Sequence, residues 1–350
     1  MSGERDIDNL LTAGKSRRRF LQIAGGGLAV LLAAPIISVP FRSEQSVSAR
    51  TSELTGIIPN NPYLPYEKNP EVQERIIENM LTFEAVAARV FLDDRFERRL
   101  GYYRMEPLDK IKSLASKMPL VVDLFDGFSF LHADRANPAF KPSRLTSPYL
   151  LKKEGRDTLE QQMAIFTDDQ IRAHLMERVK VAVMELRGVT GIRAWGMANE
   201  LNLRMGNPGL EKSLHSDLFE EIAETIMSID NSRSILIGVD NPNLIEEENF
   251  VRFGKVINTI HIYPWESHTS PIEEYRRRDN HLIPLSCQEI GYPRRIIQSD
   301  GSVLEVDQYD RTYSDFIHIA MFKLSEYDHK EKVRRSLITG LGPWRITAEG

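Results

Sequence analysis

The chain has 350 residues, enough for two average domains or for one large barrel of alternating strands and helices. Its 41% hydrophobic and 27% charged residues, with 21 glycines and 18 prolines, are ordinary globular proportions and exclude a disordered, collagen-like or multi-span membrane protein. One cysteine, Cys287, excludes an intramolecular disulfide framework or a zinc site of several thiolates, and the net charge of -5 argues against nucleic acid as the main partner.

Residues 1–49 read as a targeting segment. Ser16, Arg17, Arg18, Arg19, Phe20 and Leu21 precede a stretch, Phe20 to Phe41, without a charged residue, and small residues follow near Val47, Ser48 and Ala49. The segment resembles a twin-arginine signal, whose S-R-R-x-F-L core it matches. That resemblance implies the twin-arginine translocase as a partner during export and a periplasmic or extracellular destination. The uncharged run is also about long enough for a signal anchor, but Gly25, Gly26, Gly27 and Pro35 favour a removable signal and no stable membrane insertion. Residues 50–350 then form one domain.

From Asn69 onward apolar helical stripes alternate with short β-branched runs. A weak first strand is expected over Glu53 to Ile58, followed by strands at Ala87 to Leu92 and Pro119 to Phe125. The stretch Gly127 to Ile165, with Pro138, Pro142 and Pro148, reads as a large irregular loop. Ile171, Leu175, Val179, Ala182 and Leu186 form one helical stripe before a strand at Gly191 to Ala198. Leu218, Ile222, Ile226 and Ile229 form another before Ser234 to Val239 and Val256 to Tyr263. Leu282 to Gln288 follows, then a helix through Ile317, Ala320, Met321 and Leu324, and a last strand at Ser336 to Leu341. Several runs are almost wholly apolar, as parallel strands buried on both faces are. Eight strand–helix units in about 300 residues predict a (β/α)8 TIM barrel, in the α/β class. No glycine-rich dinucleotide loop follows the early strands, which disfavours a Rossmann sheet. Six residues follow Trp344, so the eighth helix is expected to be missing or replaced by the segment before Asn69.

Active sites of such barrels lie where strands end, so polar residues closing apolar runs come first. The fourth run stops at Asn199-Glu200 and the seventh at Glu289-Ile290-Gly291. Carboxylates at the ends of buried strands are costly to desolvate unless paired or used. Two of them facing each other across a barrel mouth suit glycosidic hydrolysis: one protonates the leaving oxygen and the other attacks the anomeric carbon. The charge of one raises the pKa of the other and keeps it available as an acid.

W-x-x-x-N-E followed about ninety residues later by Q-E-x-G resembles glycoside hydrolase clan A, the retaining barrel enzymes that include cellulases and β-mannanases. The resemblance spans most of the chain after the signal. It implies Glu200 as acid/base, Glu289 as nucleophile and Asn199 as the residue that grips the sugar 2-hydroxyl. It further implies that Arg89, on the second strand, orients the nucleophile, and that His261 and Tyr263, on the sixth, contact substrate and nucleophile. Trp344 matches the tryptophan on which the cleaved sugar stacks. Trp265 is a second stacking candidate, because flat aromatic faces suit sugar C–H faces, whereas Trp195 reads as barrel core. No metal or cofactor is implied, and a carbohydrate is the expected substrate.

Other chemistries find less support. There is no H-E-x-x-H spacing and no G-x-S-x-G elbow, and Cys287 lies inside an apolar run as packing. Arg276, Arg277 and Arg278 read as a solvated helix face. Asp123 and Asp126 end the third strand, either lining the sugar groove or serving in buried ion pairs. The chain departs from cellulase-like members at Leu201, where proline often follows Asn-Glu, and at Phe125, where a histidine often stands near the third strand's end. Two further readings remain: a non-catalytic carbohydrate-binding barrel of the cell envelope, and a barrel using Glu200 and Glu289 for metal-assisted chemistry.

Overall fold

The computed structural model describes residues 54, 56–82, 84–92, 94–125, 158–201, 206–239, 242–262, 282–290, 295–297, 303–305 and 338–343. Residues 1–49, where a targeting segment is expected, the helix expected over Ile317 to Leu324, and Tyr263, Trp265 and Trp344 lie outside the described residues.

Eight parallel strands form one sheet: β1 Gly56–Ile57, β2 Ala88–Phe91, β3 Leu120–Asp123, β4 Ile192–Gly196, β5 Ser234–Ile237, β6 Val256–Ile262, β7 Leu285–Ile290 and β8 Ile338–Pro343. Their spatial order is β1-β8-β7-β6-β5-β4-β3-β2. Parallel bridges from Ile57 to Ala85 and from Asn60 to Arg89 join the two ends of that order, so every strand has a neighbour on each side. This is the TIM-barrel fold expected from the sequence. The weak first strand narrows to two residues at its expected place.

The helices between strands are α1 Pro70–Thr82, α2 Glu106–Ala115, α3 Thr158–Thr167, α4 Asp169–Leu186, α5 Pro208–Ile229 and the single turn α6 Glu248–Val251. All five apolar residues of the first expected stripe are buried on α4, and Leu218, Ile222 and Ile226 are buried on α5. Asp168 caps α4 by accepting hydrogen bonds from the Gln170 and Ile171 amides at 2.9 and 3.1 Å. Asn207 caps α5, whose first residue is Pro208, by accepting from Leu210 N at 3.2 Å. The expected loop from Gly127 to Ile165 is corrected at its end. Residues from Thr158 carry neither glycine nor proline and form α3, which buries Met163, Ala164, Ile165 and Phe166.

Strand alternation separates two cores. Val90, Val122, Trp195 and Ile235 face the helices and pack with Leu108, Ile111, Leu175, Val179, Leu218 and Ile222. Ala87, Val121, Ala194, Leu236 and Ile257 join Leu54 and Ile58 in a smaller cluster that fills the lower barrel. Trp195 is core, as expected: it is fully buried and its indole N–H donates to Asp230 Oδ2 at 3.0 Å. Going up the strands from the small cluster, inward positions change from apolar to charged, and this change makes the site.

Candidate active site

Arg89 is the inward residue of β2 one step above Ala87, and it is 1% exposed. Its guanidinium reaches four strand ends. Nε donates to Asp123 Oδ2 at 3.0 Å, and Nη2 makes a shorter contact with the same oxygen. Nη2 also donates to Asn199 Oδ1 at 2.9 Å. Nη1 donates to Asn60 Oδ1 at 2.9 Å and to Glu289 Oε1 at 2.6 Å. The fixed fork of five N–H donors suits this role, since a lysine could not hold four partners in one plane. Burial works against the guanidinium charge, but the Asp123 and Glu289 carboxylates outweigh it and hold Arg89 protonated.

Glu289 lies within β7 rather than beyond its end, as the sequence suggested, and its direction depends on a register irregularity. Thr259 pairs with Ser286 and Ile260 with Cys287, but His261 pairs with Glu289. The strand thus contributes two consecutive inward residues, Gln288 and Glu289, where strict alternation would turn one outward. Gln288 Oε1 lies 3.1 Å from the Thr259 hydroxyl and 3.4 Å from His261 Nε2. The backbone carbonyl of Gln288 accepts from Asn60 Nδ2 at 2.6 Å.

Asn199 and Glu200 stand just past β4. The Asn199 amide donates to Phe125 O at 3.0 Å, tying the end of β4 to that of β3. Glu200 adopts φ 44°, the left-handed region that non-glycine residues rarely occupy, so the turn that aims it is strained. Gly238, beyond β5, lets this turn in: a Cβ there would fall 1.3 Å from Ala198 O. His261 joins the two glutamates. Its Nδ1 is 2.7 Å from Glu200 Oε1 and 3.4 Å from Glu289 Oε2. Burial opposes charging of the imidazole, but the Glu289 charge and the hydrogen bond to Glu200 prevail and raise its pKa to about 9.

Arg89, Asn199, Glu200, His261 and Glu289 are thus brought together as the sequence suggested. Asn60, Gln288 and Thr259 belong to the same polar layer and were missed. Asn60 follows a strand of only two residues, and Gln288 would face outward under simple alternation. Of the two readings open for Asp123, the structure selects the buried ion pair, with Arg89. Glu200, His261 and Glu289 each offer one donor atom within 4.8 Å of the others, the one such triad among the described residues. Two of these donors, His261 Nδ1 and Glu200 Oε1, are already in hydrogen-bond contact with each other, and the guanidinium on Glu289 opposes a divalent cation. The two carboxylates differ in setting. The Glu289 side chain is 2% exposed and fixed by a cation, whereas that of Glu200 is 15% exposed and rests on an imidazole. Unlike settings of this kind separate an anionic role from a proton-carrying one.

No family model matches the sequence, and no curated protein matches it. Solved structures do. The chain is similar to an endo-1,4-β-D-mannanase from Thermotoga petrophila RKU-1, with 14% identity, TM-score 0.56, and coverage of 83% of this chain and 88% of that one. It is similar to an endo-1,4-β-mannanase from Rhizomucor miehei, with 12% identity, TM-score 0.52, and coverage of 84% and 87%. It is also similar to endo-glycoceramidase II from a Rhodococcus species, with 11% identity, TM-score 0.54, and coverage of 83% and 72%. At these identities the likeness establishes a shared barrel.

Proposed function

We propose that the chain is an exported glycoside hydrolase that cleaves β-glycosidic bonds of a poly- or oligosaccharide with retention of configuration. The observation that carries this reading is the close pair of carboxylates at the ends of two barrel strands, with oxygens of Glu200 and Glu289 within 4.8 Å of each other. Retaining enzymes hold their carboxyl groups about 5–5.5 Å apart, too close for the water that an inverting reaction places between substrate and base. The mannanases and the glycoceramidase among the structural neighbours support the same substrate class.

In the first step a Glu289 oxygen attacks the anomeric carbon while Glu200 passes its proton to the departing glycosidic oxygen. In the second, Glu200 takes a proton from water, whose oxygen attacks the same carbon and frees Glu289. Arg89 holds Glu289 ionised and aimed, and Asn199, itself fixed by Arg89, is placed for a hydrogen bond to the sugar 2-hydroxyl. Tyr263, Trp265 and Trp344 complete the site as substrate contacts in this reading. The amino-terminal segment is the twin-arginine signal that exports the folded domain.

The test is reducing-sugar release from β-mannans, β-glucans, xylans and glycolipids, with proton NMR of the first anomer formed. Glu200→Gln and Glu289→Gln should each lower turnover by about 1,000-fold in a chain that still folds. Silence across the panel with glycan binding retained would replace this reading with a non-catalytic carbohydrate binder.

A further inference from the structure

Arg89 serves two buried carboxylates, and the second is not explained by the reaction. Asp123 is fully buried on β3, and its Oδ2 alone takes both Nε and Nη2 of Arg89. Its Oδ1 has no hydrogen-bond partner among the described residues and points at Gly196, where a Cβ would fall 1.6 Å away. A carboxylate held only for stability would be expected to satisfy both oxygens. Here its hydrogen bonds come from the cation that also holds Glu289, with a smaller electrostatic pull from His261. Burial pushes the Asp123 carboxyl upward against the pull of Arg89, and the Glu289 charge pushes it further the same way.

We infer that Asp123 is a positioning residue that tunes Glu289 through Arg89. It grips the Nε/Nη2 edge, so Nη1 is presented to Glu289, and it neutralises part of the guanidinium charge, so the nucleophile is not left with an undivided cation. This rests on the reading of Glu289 as nucleophile. The groups facing Glu289 and Asp123 are Arg89 from β2, His261 from β6 and Glu200 from the end of β4, with Asn60 and Asn199 as uncharged partners of the guanidinium. One guanidinium between two carboxylates makes their titrations interdependent, because each proton taken up by one strengthens the hold on the other.

The experiment is a carboxyl carbon-13 NMR titration of the full chain, with the Glu289 signal assigned by its loss in Glu289→Gln. In folded Asp123→Asn, which removes the competing charge and keeps the shape, the Glu289 midpoint should fall by about one pH unit. An unchanged or raised midpoint overturns the proposal. The wild-type chain provides a second readout that needs no variant to fold: one glutamate and one aspartate signal should share a two-step curve. Finding no glutamate that shares a step with an aspartate overturns it equally. In activity, Asp123→Asn should lower kcat about tenfold with KM within twofold, since a less basic nucleophile slows bond formation and leaves ground-state binding unchanged. The NMR result stands without turnover, so failure of the hydrolase reading and failure of this one are separate outcomes.

Discussion

His261 Nδ1 and Glu200 Oε1 lie 2.7 Å apart, so one proton joins an imidazole and a carboxylate at the mouth of the barrel. The raised folded pKa of His261, about 9, exceeds the roughly 6.5 of an unfolded histidine. A group with a raised pKa binds its proton more tightly when folded. Its stabilisation is therefore complete below about pH 6.5 and is lost as the pH rises through about 9. Melting temperatures between pH 6 and 10 should fall across that window, and His261→Gln should flatten the profile.

Arg89→Met leaves Asp123 and Glu289 buried without their cation. Breaking a buried pair in this way costs about 3–5 kcal/mol, and urea unfolding should show a loss of that order. Arg89→Lys keeps the charge but not the fork. It should fold with a smaller loss and still lower turnover about 100-fold, because Glu289 is no longer aimed. Equal activity of Arg89→Lys and the wild type would show that charge alone suffices.

Three glycines should respond differently to alanine. At Gly196 the added methyl meets the Asp123 carboxylate at 1.6 Å, and at Gly238 it meets the backbone oxygen of Ala198 at 1.3 Å. Gly196→Ala should cost about 1–3 kcal/mol. Gly238→Ala should cost more, because a carbonyl cannot swing aside as a side chain can, and it should also displace Glu200. In α5 the Cβ of Gly209→Ala meets only Asn207 Oδ1, at 3.8 Å, so that variant should be stabilised by about 0.5–1 kcal/mol. Thermal melts of the three variants check the ranking.

Asp230 closes a structural ion pair away from the site, accepting from the Trp195 indole at 3.0 Å and from Arg233. Burial works to raise its pKa, but hydrogen bonds from Ser232, Arg233 and Trp195 prevail and lower it. A depressed carboxylate contributes stability above its unfolded pKa, and that contribution is lost as the pH falls through the folded value. Asp230→Asn should lose about 1–3 kcal/mol at pH 7, and the deficit against wild type should shrink in acid. A deficit that stays constant from pH 7 to pH 3 would contradict the charge assignment.

Much of this was written in the sequence because burial is. Apolar runs that stop at Asp123, Asn199 and Glu289 mark strand ends, and Arg89 is a lone charge inside such a run; polar groups there have few uses. Gln288 was hidden because the register shift in β7 arises from pairing with β6, a tertiary fact without a local signature. Asn60 was hidden because a two-residue strand leaves no periodicity to read. Asp123 was legible as an ion-pair candidate but not as a partner of Arg89, since the contact joins residues 34 positions apart. The helix Thr158–Thr167 escaped notice beside a proline-rich stretch that dominated the local composition.

Glu200 sits at φ 44°, a conformation that glycine adopts freely and glutamate does not. A chain released from selection for turnover would gain by giving up this side chain. Glu200→Gly should melt higher than Glu200→Gln, by an amount reflecting roughly 1–2 kcal/mol of backbone relief. If Glu200 carries the proposed hydrolysis, stability and activity pull in opposite directions at one residue, and a drift to glycine there would mark a related barrel that has given up that chemistry.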